Sequence, residues 1–180
     1  ACCAFKAGDY AYVAAREEGV QIINISNPQQ PTLAGTYNTA GSAWHVAVAG
    51  NYAYIADWNY GVEIIDISNP ANPSYVGNYN TLGYANHIVV SGSRAYVADA
   101  TGGFLILDIS NPQNPSLVGS LSPSPYADVR RVFIDGFFAY LAAMDAGVFV
   151  VDIYNESQPQ IISSYNTPGY AEGIAAQGDG

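Results

Sequence analysis

The stretch that decides the fold is GVEIIDISNPANP, residues 61–73, a run of β-branched and aliphatic residues that ends in a proline turn. Residues of this kind favour strands, and proline cannot donate a hydrogen bond to a sheet, so the strand must end near Pro70. The pattern returns three more times, as GVQIINISNPQQP from Gly19, GFLILDISNPQNP from Gly103 and GVFVVDIYNESQP from Gly147. A pattern that returns at a fixed period indicates a repeat architecture.

Each repeat spans about 42 residues and contains four short strand patterns. In the second copy the predicted strands are His45–Ala49, Tyr52–Asp57, Val62–Ile67 and Tyr75–Tyr79. Four strands in this length are typical of one propeller blade. No segment has the sustained i, i+3, i+4 apolar stripe of a helix. The sequence therefore predicts an all-β fold, a β-propeller built of four-stranded antiparallel blades, with about four blades in this chain.

The ends of the chain determine how the domain is interpreted. The copies run over residues 1–42, 43–84, 85–126 and 127–170, and residues 171–180 begin a partial fifth copy. The chain thus holds five first strands but four of each other strand. We expect an incomplete ring, which is either a segment of a longer chain or one part of a larger ring completed by a second copy.

The repeat also resembles a known family. The runs IIDISNP, LILDISNP and VVDI, each of which follows an Ala-Tyr strand, resemble the LVIVD repeat of bacterial and archaeal surface or secreted proteins. The resemblance covers almost the whole chain and implies a propeller with an extracellular or cell-surface location, but no particular activity. A signal peptide is not in this sequence. The repeat departs from its pattern where Asn24 replaces Asp and where Glu156 replaces Pro.

Composition excludes some functions. The 180 residues include 5 Lys and Arg against 15 Asp and Glu, which gives a net charge of -10. A nucleic acid is held by clustered basic residues, so no nucleic-acid partner is predicted. No run of 18 apolar residues is present, so no membrane span is predicted either. Abundant Tyr, 15 residues, with few charges favours contacts made by uncharged polar surfaces.

Residues that recur in every copy are predicted to serve the blade itself. The carboxylates of Asp66, Asp108 and Asp152 follow a strand, where each can accept backbone N–H groups and fix the turn. The same structural role is predicted for Asp57 and Asp99. One tyrosine per copy is expected to pack between blades with its hydroxyl on a partner: Tyr12, Tyr54, Tyr96 and Tyr140.

Residues that differ between copies are better candidates for function. One position just before the first strand holds Cys3, His45, His87, Arg131 and Gly173 in successive copies, and Trp44, Asn86 and Arg130 lie beside it. The innermost strand of a propeller lines the central channel, so the predicted binding residues at one channel mouth are Trp44, His45, Asn86, His87, Arg130 and Arg131. The alternative is that these side chains only make hydrogen bonds that anchor the loops. The histidines are 42 residues apart and lack a local ligand spacing, so no metal site is predicted. An insertion around Asp128–Arg131 lengthens this loop by two residues.

The cysteines and sequons are less informative. Cys2 and Cys3 are adjacent, and a disulfide between neighbours requires a strained ring, so they are either incidental or paired outside this segment. Asn24 and Asn155 lie in N-x-S sequons. The first lies inside a predicted strand, whereas Asn155 lies in a turn and is a possible glycosylation site.

No nucleophile elbow, zinc-protease motif, phosphate loop or dinucleotide-binding glycine pattern occurs, and no cofactor is predicted. We therefore expect a non-catalytic extracellular or cell-surface module that binds protein or glycan or assembles into a structure. One alternative is an enzyme with its active site at the channel mouth around His45, His87 and Arg131. Another is a self-assembling filament or surface-layer component.

Overall fold

The computed structural model describes residues 1–175, which form sixteen β-strands in four antiparallel sheets. The first blade contains β1 (Cys3–Ala7), β2 (Tyr10–Ala14), β3 (Val20–Asn24) and β4 (Thr32–Tyr37). The second contains β5 (His45–Ala49), β6 (Tyr52–Ala56), β7 (Val62–Asp66) and β8 (Ser74–Tyr79). The third contains β9 (His87–Ser91), β10 (Arg94–Ala98), β11 (Phe104–Asp108) and β12 (Ser116–Leu121). The fourth contains β13 (Arg131–Asp135), β14 (Phe138–Ala142), β15 (Val148–Asp152) and β16 (Gln160–Tyr165).

Consecutive strands pair antiparallel within each blade, so every sheet is a simple meander. The first two strands of a blade join through a tight turn, in which Gly50 has a φ of 58° that favours glycine. In the second copy β5 has the predicted bounds, and β6, β7 and β8 each differ from the predicted strand by one residue at one end. The prediction of an all-β propeller with four-stranded blades is confirmed.

The blades pack face to face through three hydrophobic cores. The core between blades 1 and 2 contains Ile22 and Ile55. The next two cores are built in the same way, with Ile64 and Leu107 between blades 2 and 3 and Leu141 between blades 3 and 4. Each core is formed by alternate residues of the middle strands, because successive side chains of a strand point to opposite faces.

The two end blades are covered on one face only. In blade 2 every residue from Ala53 to Ala56 and from Val62 to Ile65 is buried. In blade 4 Leu141 and Val151 are buried, but Val150, whose side chain points to the opposite face, is only half-buried. Strand β16 is exposed along its length. Within residues 1–175 no fourth core joins blade 4 to blade 1. The completion of the ring by further blades or by a second copy stays a prediction.

Buried aspartates connect blades 2 and 3 to the linkers that precede them. Asp99 of blade 3 accepts hydrogen bonds from the Thr81 hydroxyl at 2.6 Å and from the Gly83 N–H at 2.8 Å. Asp57 of blade 2 accepts the N–H of Gly41 at 2.7 Å. These carboxylates therefore stabilise the junction between two blades, and not only a turn within one blade. Burial raises the pKa of both to about 6, although these hydrogen bonds lower it.

The inserted residues lie before the position that the sequence suggested. Val129 pairs with Ala100 as Ala85 pairs with Trp58, so residues from Val129 onward are already back in register. The two extra residues therefore lie between Leu121, the end of β12, and Val129. The prediction of an insertion around Asp128–Arg131 was therefore too late in the chain, because sequence alone shows the length of a loop but not where its register resumes.

The partial fifth copy is described only in part. Ala171 forms an isolated bridge with Met144, which is the equivalent of the pair between Ala43 and Arg16. Residues 172–175 have no assigned strand, and the rest of the predicted strand, residues 176–180, lies outside the described residues. Through residue 175 the chain has no helix with the length and hydrophobicity of a membrane span.

Candidate binding site at the channel mouth

The same backbone hydrogen bond fixes one position at the start of each inner strand. The N–H groups of Cys2, Trp44, Asn86 and Arg130 each donate to an alanine carbonyl of the neighbouring strand, all at 2.8 Å. Four different side chains therefore project from equivalent backbone positions. The repeat supplies the position, and the variation between copies supplies the chemistry.

These side chains meet in one cavity of about 440 Å³, to which all four blades contribute. Trp44, Asn86, Arg130 and Arg131 line it, together with Arg16 and Glu172. Cavities of this size are typical of small-molecule sites. The structure thus brings together four of the six predicted binding residues in a single cavity.

The cavity concentrates positive charge in an acidic chain. It holds three of the five basic residues, Arg16, Arg130 and Arg131. Arg130 forms an ion pair with Asp128 at 2.6 Å, and the Nε of Arg16 donates to the Cys2 sulfur at 2.9 Å. Among the residues that the structure describes, Arg131 has neither an ion pair nor a side-chain hydrogen bond. Its guanidinium donors remain available to a ligand.

Asn86 is a buried polar side chain in the same cavity. It is 7% exposed, yet neither its amide nitrogen nor its amide oxygen has a hydrogen-bond partner in the described part of the chain. Leaving a buried donor or acceptor without a partner costs roughly 1–3 kcal/mol. A buried amide with both groups unpaired therefore favours a ligand that both accepts and donates hydrogen bonds.

The other two predicted residues, His45 and His87, pack against each other with ring centroids 3.8 Å apart. Burial lowers the pKa of His45 to about 4, with a further contribution from the positive charge of Arg131. Burial lowers the pKa of His87 to about 2, assisted by His45 and Arg131. Both imidazoles are therefore neutral at pH 7. His87 also lines a second cavity, which shares Arg131 and Glu172 with the first.

The histidine pair is not accompanied by further metal ligands. Across residues 1–175 no group of three or more His, Cys, Asp or Glu side chains has the arrangement of a metal site. Cys3 belongs to the same repeat position, and burial raises the pKa of its thiol. What the arrangement offers chemically is a set of hydrogen-bond donors beside two neutral rings.

A row of aromatic side chains beside the cavity was not predicted from the sequence. Arg16 lies 4.3 Å above the ring of Trp44, which stacks on Trp58 at 4.8 Å, and Trp58 contacts Tyr84 at 4.7 Å. Arg16 and Trp58 occupy equivalent turns, and both have positive φ, 58° and 53°. The shared turn position was the signal in the sequence that could have identified Arg16 and Trp58, because it places both side chains at the same channel mouth as Trp44.

The recurrent aspartates occupy the turns after the third strands. Oδ1 of Asp66, Asp108 and Asp152 accepts the backbone N–H two residues ahead, at 2.7–2.8 Å. Asn24 accepts the N–H of Ser26 at 2.9 Å in the same way. The amide therefore performs the same hydrogen bonding as the aspartate that it replaces.

The recurrent tyrosines do not all find hydroxyl partners. Tyr12, Tyr54 and Tyr96 are buried in the three cores, whereas Tyr140 is half-buried on the uncovered face of blade 4. Of these hydroxyls only that of Tyr96 donates within the described chain, to Glu156 at 3.1 Å. The expectation of a partner for each hydroxyl is corrected accordingly.

The remaining sequence candidates lie apart from the cavity or at its edge. Cys2 and Cys3 are both free thiols. Asn155 is exposed in the turn after β15, where its side-chain oxygen accepts the Ser157 hydroxyl at 2.9 Å. Its position leaves the sequon accessible.

The four repeated blades define the class as a β-propeller of LVIVD repeats. The LVIVD repeat family model matches residues 7–39, 40–81, 82–122 and 127–167, so the chain belongs to the LVIVD repeat family. No curated protein matches this chain.

Two solved structures with designed sequences share the fold. The crystal structure of the computationally designed Ika8 protein superposes with a TM-score of 0.74 and 10% identity, covering 93% of this chain and 49% of that chain. The computationally designed Ika4 protein superposes with a TM-score of 0.65 and 12% identity, covering 81% of this chain and 86% of that chain. The aligned part of this chain thus spans about half the length of the Ika8 protein.

Proposed function

We propose that this chain is a non-catalytic binding module of an extracellular or cell-surface protein, and that its ligand site is the channel mouth. The observation that carries the proposal is Asn86, whose buried amide has two unpaired hydrogen-bonding groups in a cavity built from all four blades. A buried amide of this kind is expected to be satisfied by a bound partner. A glycan or a protein segment can supply the hydroxyl or amide groups that match it.

The extracellular location rests on composition and on the surface. Charged residues are 11% of the chain, and Tyr and Asn supply much of its polarity. The exposed sequon at Asn155 is compatible with glycosylation in a host that modifies such sites. Detection of the native protein in the culture medium or on the cell surface would support this part of the proposal, and its recovery in the cytoplasm would contradict it.

The binding test compares two asparagines. The labelled chain is applied to arrays of glycans and peptides, together with the variants Asn86→Ala and Asn78→Ala. Asn78 is exposed, and its side chain accepts the Tyr75 hydroxyl outside the mouth, so it controls for loss of an amide. We expect the Asn86 variant to lose the array signal and the Asn78 variant to keep it. A signal that survives in the Asn86 variant would contradict a site at the mouth.

The enzyme alternative is tested on the same ligands. His45, His87 and Arg131 would have to carry the chemistry, and the two neutral imidazoles lie against each other rather than on a carboxylate partner. We expect each ligand that binds to be recovered unchanged after incubation. Release of product that disappears in the His87→Ala variant would overturn the non-catalytic part of the proposal.

Self-association is a second candidate, favoured by the uncovered faces of blades 1 and 4. A second copy would place the blade 1 residues Val13 and Ile23 against Tyr140 and Val150 of blade 4, as equivalent residues pack inside the chain. Residues 172–175 occupy the repeat position of a further inner strand, so this second copy would have to displace them. For that reason binding at the mouth is our first proposal.

Sedimentation over a wide concentration range tests self-association. This candidate requires a concentration-dependent dimer that Val150→Lys weakens, since the substitution places a charge on the uncovered face. Thr36→Lys adds the same charge on an exposed position of β4 and is expected to leave the dimer intact. A monomer at all concentrations would exclude this candidate.

A further inference from the structure

We infer that the channel mouth takes a carboxylate-bearing sugar, with Arg131 holding the carboxylate and Asn86 the neighbouring hydroxyl groups. This inference rests on the proposed function and names its ligand class. It follows from the charge and the unpaired groups of one cavity, and from the different state of each arginine in it.

The charge distribution points to an acidic ligand. The whole chain has a net charge of -10, yet Arg16, Arg130 and Arg131 line one cavity, where Glu172 is the one acidic residue. With Asp128 beside Arg130, three positive charges face two negative ones. In such an acidic protein a site with excess positive charge attracts anions selectively.

The three arginines are not equivalent. Arg130 is paired with Asp128, and Arg16 is held between the Trp44 ring and the Cys2 sulfur. Arg131 alone among them has no partner in the described part of the chain. A guanidinium presents several N–H donors in a planar fork that matches a carboxylate, so Arg131 is the group that an acidic ligand would engage.

The remaining polar groups favour a sugar over an acidic peptide. Asn86 offers one unpaired donor group and one unpaired acceptor, and a sugar hydroxyl both donates and accepts. An acidic peptide also carries N–H donors, but they lie on its backbone, several bonds from the side-chain carboxylate, whereas a sugar acid has its hydroxyl groups on the same ring as its carboxylate. Glu172 adds another acceptor for hydroxyl groups, and its charge disfavours densely charged polymers.

The size of the cavity agrees with this ligand class. At about 440 Å³ it exceeds the space that a lone inorganic anion needs and falls within the usual range of small-molecule sites. Arg16 and Trp44 form one side of it, and the stack that continues to Trp58 holds this side in place. A ring with one carboxylate and several hydroxyls fits these contacts.

The test uses a trisaccharide of galacturonic acid, its methyl ester and an acidic peptide of glutamates as probes in calorimetric titrations of the full chain. We expect binding of the acidic trisaccharide and little binding of the ester or the peptide. Arg131→Ala should weaken this binding roughly tenfold or more, since a hydrogen-bonded charge pair is lost. Arg131→Lys should retain part of it, and Lys6→Ala, which removes an exposed charge outside the mouth, should not change it.

Thermal melts of the Arg131 variants verify that they fold. Equal affinity for the acid and the ester, or full affinity in Arg131→Ala, would overturn the inference. Preference for the glutamate peptide would also overturn it. If the inference fails while the Asn86→Ala variant still loses binding on the arrays, the proposed function stands. If Asn86→Ala loses nothing, the proposed function fails as well.

Discussion

At the scale of single residues, the repeat determines where the two histidines lie, and their surroundings determine their charge. His45 and His87 occupy the same site in two blades, and the stacking of neighbouring inner strands brings their rings to 3.8 Å. Burial and the nearby Arg131 then hold both rings neutral. The pair is therefore a packing element beside the cavity at pH 7 and a source of acid sensitivity below it.

The acid sensitivity is predicted to appear as a difference in stability between wild type and a His87→Asn variant. In the unfolded chain His87 takes up a proton near pH 6.5, whereas its pKa in the folded chain is lowered to about 2. The unfolded state therefore binds more protons below pH 6.5, and wild-type stability falls as the pH falls. We expect the unfolding free energy of wild type to drop by up to about 2 kcal/mol relative to the variant between pH 7 and pH 5.

Urea unfolding of both proteins at the two pH values measures this difference. Asp57 and Asp99, whose pKa is raised to about 6, act in the opposite direction, because their folded forms hold protons more tightly than their unfolded forms. Both proteins carry these aspartates, so their contribution cancels in the comparison. Parallel pH profiles for wild type and variant would show that His87 is not held neutral.

At the scale of elements, the linkers and the blades that follow them vary together. The first two linkers each contain a Thr and a Gly, and the blades that follow carry an acceptor for them. Asp57 accepts the Gly41 N–H, and Asp99 accepts both the Thr81 hydroxyl and the Gly83 N–H. The third linker has neither the Thr nor the Gly in these positions, and the equivalent residue of blade 4 is the buried Ala143. Donor and acceptor are thus present together or absent together.

This pairing predicts that an aspartate stabilises the chain at position 99 of blade 3 but destabilises it at the equivalent position 143 of blade 4. Asp99→Ala should lower the unfolding free energy by roughly 1–3 kcal/mol, because it leaves the buried Thr81 hydroxyl and the half-buried Gly83 N–H unpaired. Ala143→Asp should also destabilise the chain, since it buries a carboxylate where the linker offers no matching donors. Denaturant titration measures both values, and a more stable Ala143→Asp variant would contradict the pairing.

A polar contact across blades 3 and 4 accounts for one departure from the repeat. Glu156 stands where other copies have proline, and it accepts hydrogen bonds from Arg94 at 2.5 Å and from Tyr96 at 3.1 Å. Arg94 is in turn paired with Asp108 at 3.1 Å. The substitution in the sequence therefore marks a specific contact between blades 3 and 4.

At the scale of the whole molecule, stability is distributed unevenly along the arc. The middle strands of blades 2 and 3 are buried on both faces, and those of blades 1 and 4 on one. In repeat proteins each unit is stabilised mainly by its interfaces with its neighbours. The end blades have one such interface each, so they are expected to open more readily than the central ones.

Hydrogen exchange is predicted to follow this order. Amides of β10 and β11 should exchange roughly tenfold more slowly, or slower still, than those of β14 and β15, which hold equivalent positions in blade 4. The amides of the exposed strand β16 should exchange fastest within that blade. Mass spectrometry of exchanged peptides measures these rates. Equal protection in blades 3 and 4 would indicate that the outer face of blade 4 is covered in solution.

Much of the candidate site was predictable because the repeat aligns equivalent positions. Trp44, Asn86, Arg130 and Arg131 were identified as residues that vary between copies at two adjacent phases of the pattern, and they line one cavity. Arg16, Trp58 and Tyr84 were not identified. Arg16 and Trp58 share one phase of the repeat, but the sequence does not show that this phase lies beside Trp44. Their proximity to Trp44 depends on how the blades stack.

The sequence by itself determined the strands, their order and the four-stranded blade, because alternation of apolar residues and proline turns are local properties that recur in each copy. It also determined which positions vary between blades. Only the tertiary structure decided what those positions do, because contacts across blades join residues about 42 positions apart that no local rule relates. The contact between the two histidine rings, the unpaired Asn86 and the uncovered faces of the end blades all follow from the packing of blade on blade.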